Sequence, residues 1–223
     1  MAAFELRDAT VSYDGNTVLN RITLRIERGE RVALVGRSGV GKSTLLHLLY
    51  EQSRATSALV PQDPGLVRSL SVFHNVFMGR LNQNSIWYNL TNLVMPRRQE
   101  VDDIRALLVS LEMDDKLFQP AGELSGGQQQ RTSVARALFR KGDALLGDEP
   151  VSSVDEHQSQ SVLRSINAAY DTTILAMHDV DLALAFCDRI VGLDDGRIVL
   201  DSAAADMKRS DLMPLYRGEV TGL

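Results

Sequence analysis

The chain has 223 residues, 44% hydrophobic and 24% charged, which is the balance of a packed domain and excludes a disordered or low-complexity chain. Acids outnumber bases 29 to 24, for a net charge of −5, so there is no chain-wide basic footprint and no nucleic-acid partner is expected. The apolar runs are too short to cross a bilayer, the N-terminus lacks the apolar core of a signal peptide, and the single cysteine, Cys187, leaves no internal disulfide; a reducing cytosol is the expected home.

Two strand-like runs, 4–12 and 18–26, flank a turn-forming stretch at 13–16. The apolar run 31–35 reads as a buried parallel strand. A glycine-rich loop, 36–41, follows it, and then a helix over 42–50 with Leu45, Leu46, Leu48 and Leu49 facing a core. A strand stub at Leu59 and Val60 leads into a loop, and 71–113 turns helical. There Val101, Ile104, Leu107, Leu108 and Leu111 fall on one face of a helix that begins after Pro96. Ser125 is a candidate N-cap of a helix that runs to about Arg140, with Gly142 as its stop signal. Then come a strand at 144–147, a helix at 155–169, a strand at 172–177 and a helix at 179–187. A hairpin turns around Asp194-Asp195-Gly196, and a last helix is expected over 203–216. Trp87 and Tyr88 are expected to pack in the helical insertion or to form part of a groove for a partner, and Cys187 reads as small apolar packing. The alternation of strands and helices predicts an α/β core with a helical insertion at about 66–122.

Three motifs carry chemistry. The first is Gly36-Arg37-Ser38-Gly39-Val40-Gly41-Lys42-Ser43, a full match to G-x-x-x-x-G-K-[ST], with Thr44 continuing into the helix. Its glycines let the backbone curl so that successive N–H groups point inward at a phosphate, and the helix N-terminus faces the same anion. Lys42 reaches the β- and γ-phosphates, and the Ser43 hydroxyl holds Mg²⁺. In the second, a buried strand ends in Asp148-Glu149-Pro150, beyond the carboxyl end where ligands of open α/β sheets bind. Asp148 meets the Mg²⁺ shell, and Glu149 polarises the water that attacks the γ-phosphate. Alone, this pair is equally two solvated acids in a loop. The third is Leu124-Ser125-Gly126-Gly127-Gln128, a second helix N-terminus with a hydroxyl and two bare glycine amides. It reads either as an ordinary capped helix or as a second anion site. One chain cannot obviously bring both sites to one nucleotide, whereas a head-to-tail pair of chains can.

Together these motifs resemble the nucleotide-binding subunits of ABC transporters, from Phe4 to about Ser202. The resemblance implies a P-loop NTPase (RecA-like) core, an N-terminal antiparallel β-subdomain and an inserted helical subdomain. One ABC ATPase domain then spans 1–223, with 1–65 and 123–223 as core plus β-subdomain and about 66–122 as the helical part. It also implies ATP hydrolysis coupled to transport, with ATP and Mg²⁺ as cofactors. By the same resemblance Tyr13 stacks on adenine, Gln62 touches Mg²⁺ and the attacking water, and His178 contacts the γ-phosphate. Ser152-Ser153-Val154-Asp155 resembles the loop that crosses the dimer interface. The implied partners are a second copy, integral-membrane permease subunits and, indirectly, a solute-binding protein, with the chain peripheral on the cytoplasmic face of the inner membrane.

Stretch 66–81, Trp87, the triple Gln128-Gln129-Gln130 and 178–189 are similar to the ATPases of phosphonate importers. The chain departs from the family in the 20 positions between Lys42 and Gln62, where members usually carry further antiparallel strands, so a reduced β-subdomain is expected. Two other readings stand beside this one. A soluble ATP-gated clamp usually carries two cassettes or a coiled-coil insertion, and neither is seen here. A small kinase or GTPase leaves 124–128 unexplained, and no Asn-Lys-x-Asp guanine reader is present.

Overall fold

The computed structural model describes residues 2–219. Among these, the chain forms two compact units, one from 2–59, 143–149 and 170–219, the other from 60–142 and 150–169.

The first unit begins with an antiparallel ribbon, β1 (Ala2–Tyr13) and β2 (Asn16–Glu27). Residues of β2 alternate between core and solvent, with Leu19, Ile22, Leu24 and Ile26 buried. The turn residue Asp14 and its neighbour Gly15 both take positive φ, the geometry of a tight hairpin. β3 (Arg31–Val35) is buried along nearly its whole length, as a central parallel strand must be. It runs into α1 (Lys42–Ser53), whose Leu45, Leu46 and Leu49 are fully buried in one core with the ribbon and β3.

From α1 the chain returns at once through β4 (Ser57–Val60) to the edge of the main sheet. The short connection between Lys42 and Gln62 therefore holds one helix and one strand of the main sheet, and nothing is left to widen the ribbon. The reduced β-subdomain expected from sequence is a two-stranded sheet.

The main sheet has the order β4-β5-β6-β3-β7-β8, with β5 (Ala144–Asp148), β6 (Thr173–Ala176), β7 (Arg189–Asp194) and β8 (Arg197–Ala203). β5, β6, β3 and β7 are parallel, and β8 folds back antiparallel on β7 through Asp195 and Gly196, both at positive φ. The register places Asp148, Ala176 and Leu34 in one row across three strands. The residues just past that row, Glu149, Met177–His178 and Gly36, thus emerge at the same carboxyl edge.

The second unit is mostly helical: α2 (Val72–Phe77), α3 (Ile86–Val94), α4 (Arg98–Ser110), α5 (Gly126–Arg140) and α6 (Glu156–Ala169). Ile104, Leu108 and Leu111 are buried and Val101 and Leu107 half-buried, the face the sequence spacing predicts. Phe73, Phe77 and Phe139 are buried and pack ring to ring, and the exposed Phe118 ring lies against Phe73 from the surface.

Three local expectations are corrected. Trp87 is not packed inside: its side chain is 79% exposed, as are its neighbours Ile86, Val94 and Met95 in large part, while Tyr88 donates its hydroxyl to Glu100 at 2.6 Å. The end of α5 is turned by Lys141, which takes φ 54°, and not by Gly142. The last helix does not run from 203 to 216. β8 continues to Ala203, α7 (Val180–Phe186) and then α8 (Arg209–Leu212) are the remaining helices, and tight 3₁₀ turns lie around α8. The break follows from Pro214, which has no N–H to donate to a continuing helix, and from the pairing demand of β7. No helix among the described residues is long and apolar enough to cross a membrane.

Candidate nucleotide site

The glycine loop leaves β3 at Gly36 with φ 140°, and a Cβ there would lie 2.3 Å from the Leu193 carbonyl oxygen. Only glycine fits. Gly41, at φ 102°, is the N-cap of α1 and packs against Val18 and Leu19 of β2, so the ribbon backs the loop. The start of α1 has no side-chain cap and no acid in its first turn. The first N–H groups of a helix have no partner within it, so this end is left free for an anion.

Lys42 is 5% exposed and donates through Nζ to the carbonyls of Gly36 at 2.7 Å and Arg37 at 2.8 Å, which draws the loop into a ring around its own lysine. Burial holds the Lys42 pKa below its ordinary value, and the charges of Glu149 and Asp148 oppose that shift. Arg37 is tied to Asp194 at 2.8 Å.

Ser43 donates its hydroxyl to Asp148 Oδ1 at 3.1 Å. The donor set is oxygen only, a hydroxyl and a carboxylate. That suits a hard cation such as Mg²⁺, which keeps waters and takes its remaining ligands from phosphate. No cluster of three or more His, Cys, Asp or Glu able to hold a softer metal occurs among the described residues.

Beside it, Glu149 takes φ 52°, a left-handed conformation strained for a non-glycine residue, and its Oε1 lies 2.6 Å from His178 Nε2. β5 and β6 deliver these two side chains from adjacent strands, and the ladder continues past both ends through Glu149 N–H to Ala176 and Met177 N–H to Leu34. Tyr13 closes the ribbon, paired with Asn16 and 58% exposed. Thr17 and Val18 of the ribbon, Arg37, Ser38, Gly39 and Val40 of the loop, and Asp195 and Gly196 of the β7–β8 turn line a cleft of about 360 Å³.

The first unit thus gathers Gly36–Thr44, Asp148, Glu149 and His178 at one sheet edge. Gln62 and Ser125–Gln128 belong to the second unit. Gln62 is exposed two residues past β4. Ser125 and Gln128 form a capping box: Gln128 N–H donates to Ser125 Oγ and Ser125 N–H to Gln128 Oε1. A Cβ on Gly126 would meet nothing within 4 Å, while one on Gly127 would lie 2.7 Å from the Ser153 carbonyl oxygen, so the 152–155 loop packs directly on this helix start. The tie between Arg37 and Asp194 and the strain at Glu149 have no signal in the sequence.

A parallel sheet that feeds a glycine loop, Lys42 and Ser43 into an uncapped helix, and sets an acid pair beside them from a neighbouring strand, defines a phosphate-loop nucleoside triphosphatase. The profile of one family, ABC transporter, matches residues 19–152. The chain belongs to that family, as its ATPase subunit.

Among its relatives, the phosphonates import ATP-binding protein PhnC 1 of Pseudomonas syringae pv. syringae is 37% identical over 248 residues, covering 98% of this chain and 91% of that protein. The phosphonates import ATP-binding protein PhnC of Rhizobium etli is 34% identical, covering 98% and 88%. These alignments are longer than the 223 residues of this chain, so the relatives carry residues that it lacks. The fold matches the dimeric structure of MJ0796, a bacterial ABC transporter cassette, with TM-score 0.78 at 23% identity over 90% of this chain and 98% of the other. It also matches the ADP conformation of the MJ1267 cassette, with TM-score 0.77 at 18% identity over 98% and 100%.

Proposed function

We propose that this chain hydrolyses ATP to drive a bacterial importer of phosphonate-class solutes, working as a head-to-tail pair on the cytoplasmic face of permease subunits. Solute specificity lies with those permease subunits and a solute-binding protein. The reading of the substrate rests on relatives at 33–38% identity over nearly the whole chain that carry that name. The reading of the chemistry rests on one observation, the 2.6 Å contact between Glu149 and His178 beside an uncapped phosphate loop.

The free amides at the start of α1 and the Lys42 ammonium bind the phosphates; Lys42 exchanges its bonds to the Gly36 and Arg37 carbonyls for phosphate oxygens. Ser43 and Asp148 would hold Mg²⁺, which when bound would neutralise charge on the phosphate oxygens. Glu149 accepts the proton of the attacking water, and His178 keeps its carboxylate aimed. Tyr13 stacks on the base. Gly126, with open space where a side chain would stand, covers together with Ser125 and Gln128 the nucleotide held by the other copy.

The substitution Glu149→Gln preserves the shape of the side chain and removes the base. It is expected to bind MgATP as the parent does and to hydrolyse it about 10²- to 10⁴-fold more slowly. Hydrolysis at the parent rate rejects the role of Glu149. For the solute, a strain deleted for this chain should grow on inorganic phosphate and fail on a phosphonate as sole phosphorus source. Equal growth on both rejects phosphonate import.

A further inference from the structure

The C-terminal segment folds back onto the entrance of the phosphate loop. Leu212 is fully buried, and Leu215 packs on the bare Cα of Gly192 in β7, where a Cβ would lie 2.7 Å from its methyl carbon. Arg209 pairs with Asp181 in the first turn of α7, and Asp211 accepts the backbone N–H of Lys208. These contacts hold the backbone that carries Tyr216. The Tyr216 hydroxyl accepts a hydrogen bond from Gly36 N–H at 3.3 Å, across 180 positions of sequence. Burial pushes the Tyr216 phenol up, the Gly36 hydrogen bond opposes this, and the nearby Asp179 charge adds to the rise, so the hydroxyl stays neutral.

Gly36 is thereby held from two sides. The Leu193 carbonyl stands where its side chain would be, and Tyr216 takes its amide. The next residue, Arg37, is fixed to Asp194. A loop this rich in glycine loses much conformational freedom when it curls. An anion that binds only the curled form binds more weakly by the fraction of loop that is not curled. A group that fixes the first residue without touching the anion therefore raises affinity by pre-organisation.

We propose that Tyr216 is a positioning residue of the phosphate loop: its hydroxyl holds Gly36 in the curled conformation and so strengthens the binding of nucleotide phosphates. The inference rests on the reading of the loop as a nucleotide site.

The test uses the full chain and its Tyr216→Phe variant, which keeps the ring and removes only the hydroxyl. MgADP is titrated by calorimetry, and exchange of the Gly36 amide is followed by NMR without nucleotide. The expected result is MgADP binding about three- to tenfold weaker in the variant, as for one lost hydrogen bond, together with faster exchange at Gly36. Equal affinity in parent and variant overturns the proposal. So does unchanged exchange at Gly36, even if affinity and melting temperature both fall, because the loss then comes from packing. A parent chain that does not bind MgADP overturns the nucleotide reading and the proposal together, and is recognised because the parent itself then gives no heat of binding.

Discussion

Gly126 and Gly127 are neighbours in sequence with opposite needs. Space is open where a Cβ would stand on Gly126, whereas on Gly127 it would press on the Ser153 backbone. Gly127→Ala is expected to lower stability by about 1–3 kcal/mol, since backbone cannot give way as a side chain can. Gly126→Ala should leave stability within about 0.5 kcal/mol of the parent yet reduce ATP hydrolysis, because a methyl group would then stand on the face proposed to meet the other copy's nucleotide. Urea denaturation and steady-state hydrolysis on both variants separate the two. Cys187 gives a second test at this scale. Burial pushes its thiol up to about 12. At pH 8 only about one thiol in ten thousand is ionised, so alkylation of the native chain should be very slow and should become rapid in urea. The same shift gives the sign of its effect on folding: at neutral pH the thiol is protonated in both states and stability does not change with pH on its account. Above its ordinary value near 9 the unfolded chain releases a proton that the folded chain keeps, and stability falls as pH rises toward 12.

Among the elements, α1 follows a glycine N-cap and α5 opens on two glycines, but they end up doing different things. α1 has no side-chain cap, while Ser125 and Gln128 cap α5 reciprocally. The exposed Ser125 hydroxyl is therefore already engaged by its own helix, and any contact with phosphate must compete with that bond. The loop before α2 is organised by Asn75, a fully buried side chain. It accepts the Val67 N–H and donates to the carbonyls of Val67, Leu70 and Ser71. Asn75→Ala removes all of these partners at once and leaves buried backbone groups unpaired. A loss of about 2–4 kcal/mol in urea denaturation is expected, with the hydrolysis rate per folded molecule as the second reading.

For the whole molecule, the proposed head-to-tail pair would form in a concentration-dependent way. Glu149→Gln with MgATP should elute from a sizing column as two chains, and without nucleotide as one; a single mass in both conditions rejects the pair. The same chain carries a built-in contrast between exposed and buried aromatics. Trp87→Ala should change stability by less than about 0.5 kcal/mol, because the ring stands in solvent. Phe73→Ala, at a fully buried position between Phe77 and Phe118, should lower it by about 3–5 kcal/mol.

Much of this protein was legible in its sequence because the relevant physics is local. A phosphate cradle needs glycines, a lysine and a hydroxyl at fixed spacing, and a buried parallel strand needs an unbroken apolar run, so Gly36–Ser43, β3 and β5 could be read directly. The short stretch from Lys42 to Gln62 likewise left room for only a narrow ribbon. What the sequence misjudged or missed depends on partners far along the chain. Trp87 carries the composition of a packed residue but meets solvent, since burial depends on what lies across from a helix. Residues 203–216 have no marked helical fault except Pro214, yet β7 claims the first of them as a strand. The hydrogen bond of Tyr216 to Gly36, the tie of Arg37 to Asp194, the strained approach of Glu149 to His178 and the division of labour between Gly126 and Gly127 were decided only by tertiary structure. Each depends on backbone brought within a few ångströms by strands that are remote in sequence, and no local pattern encodes such an approach.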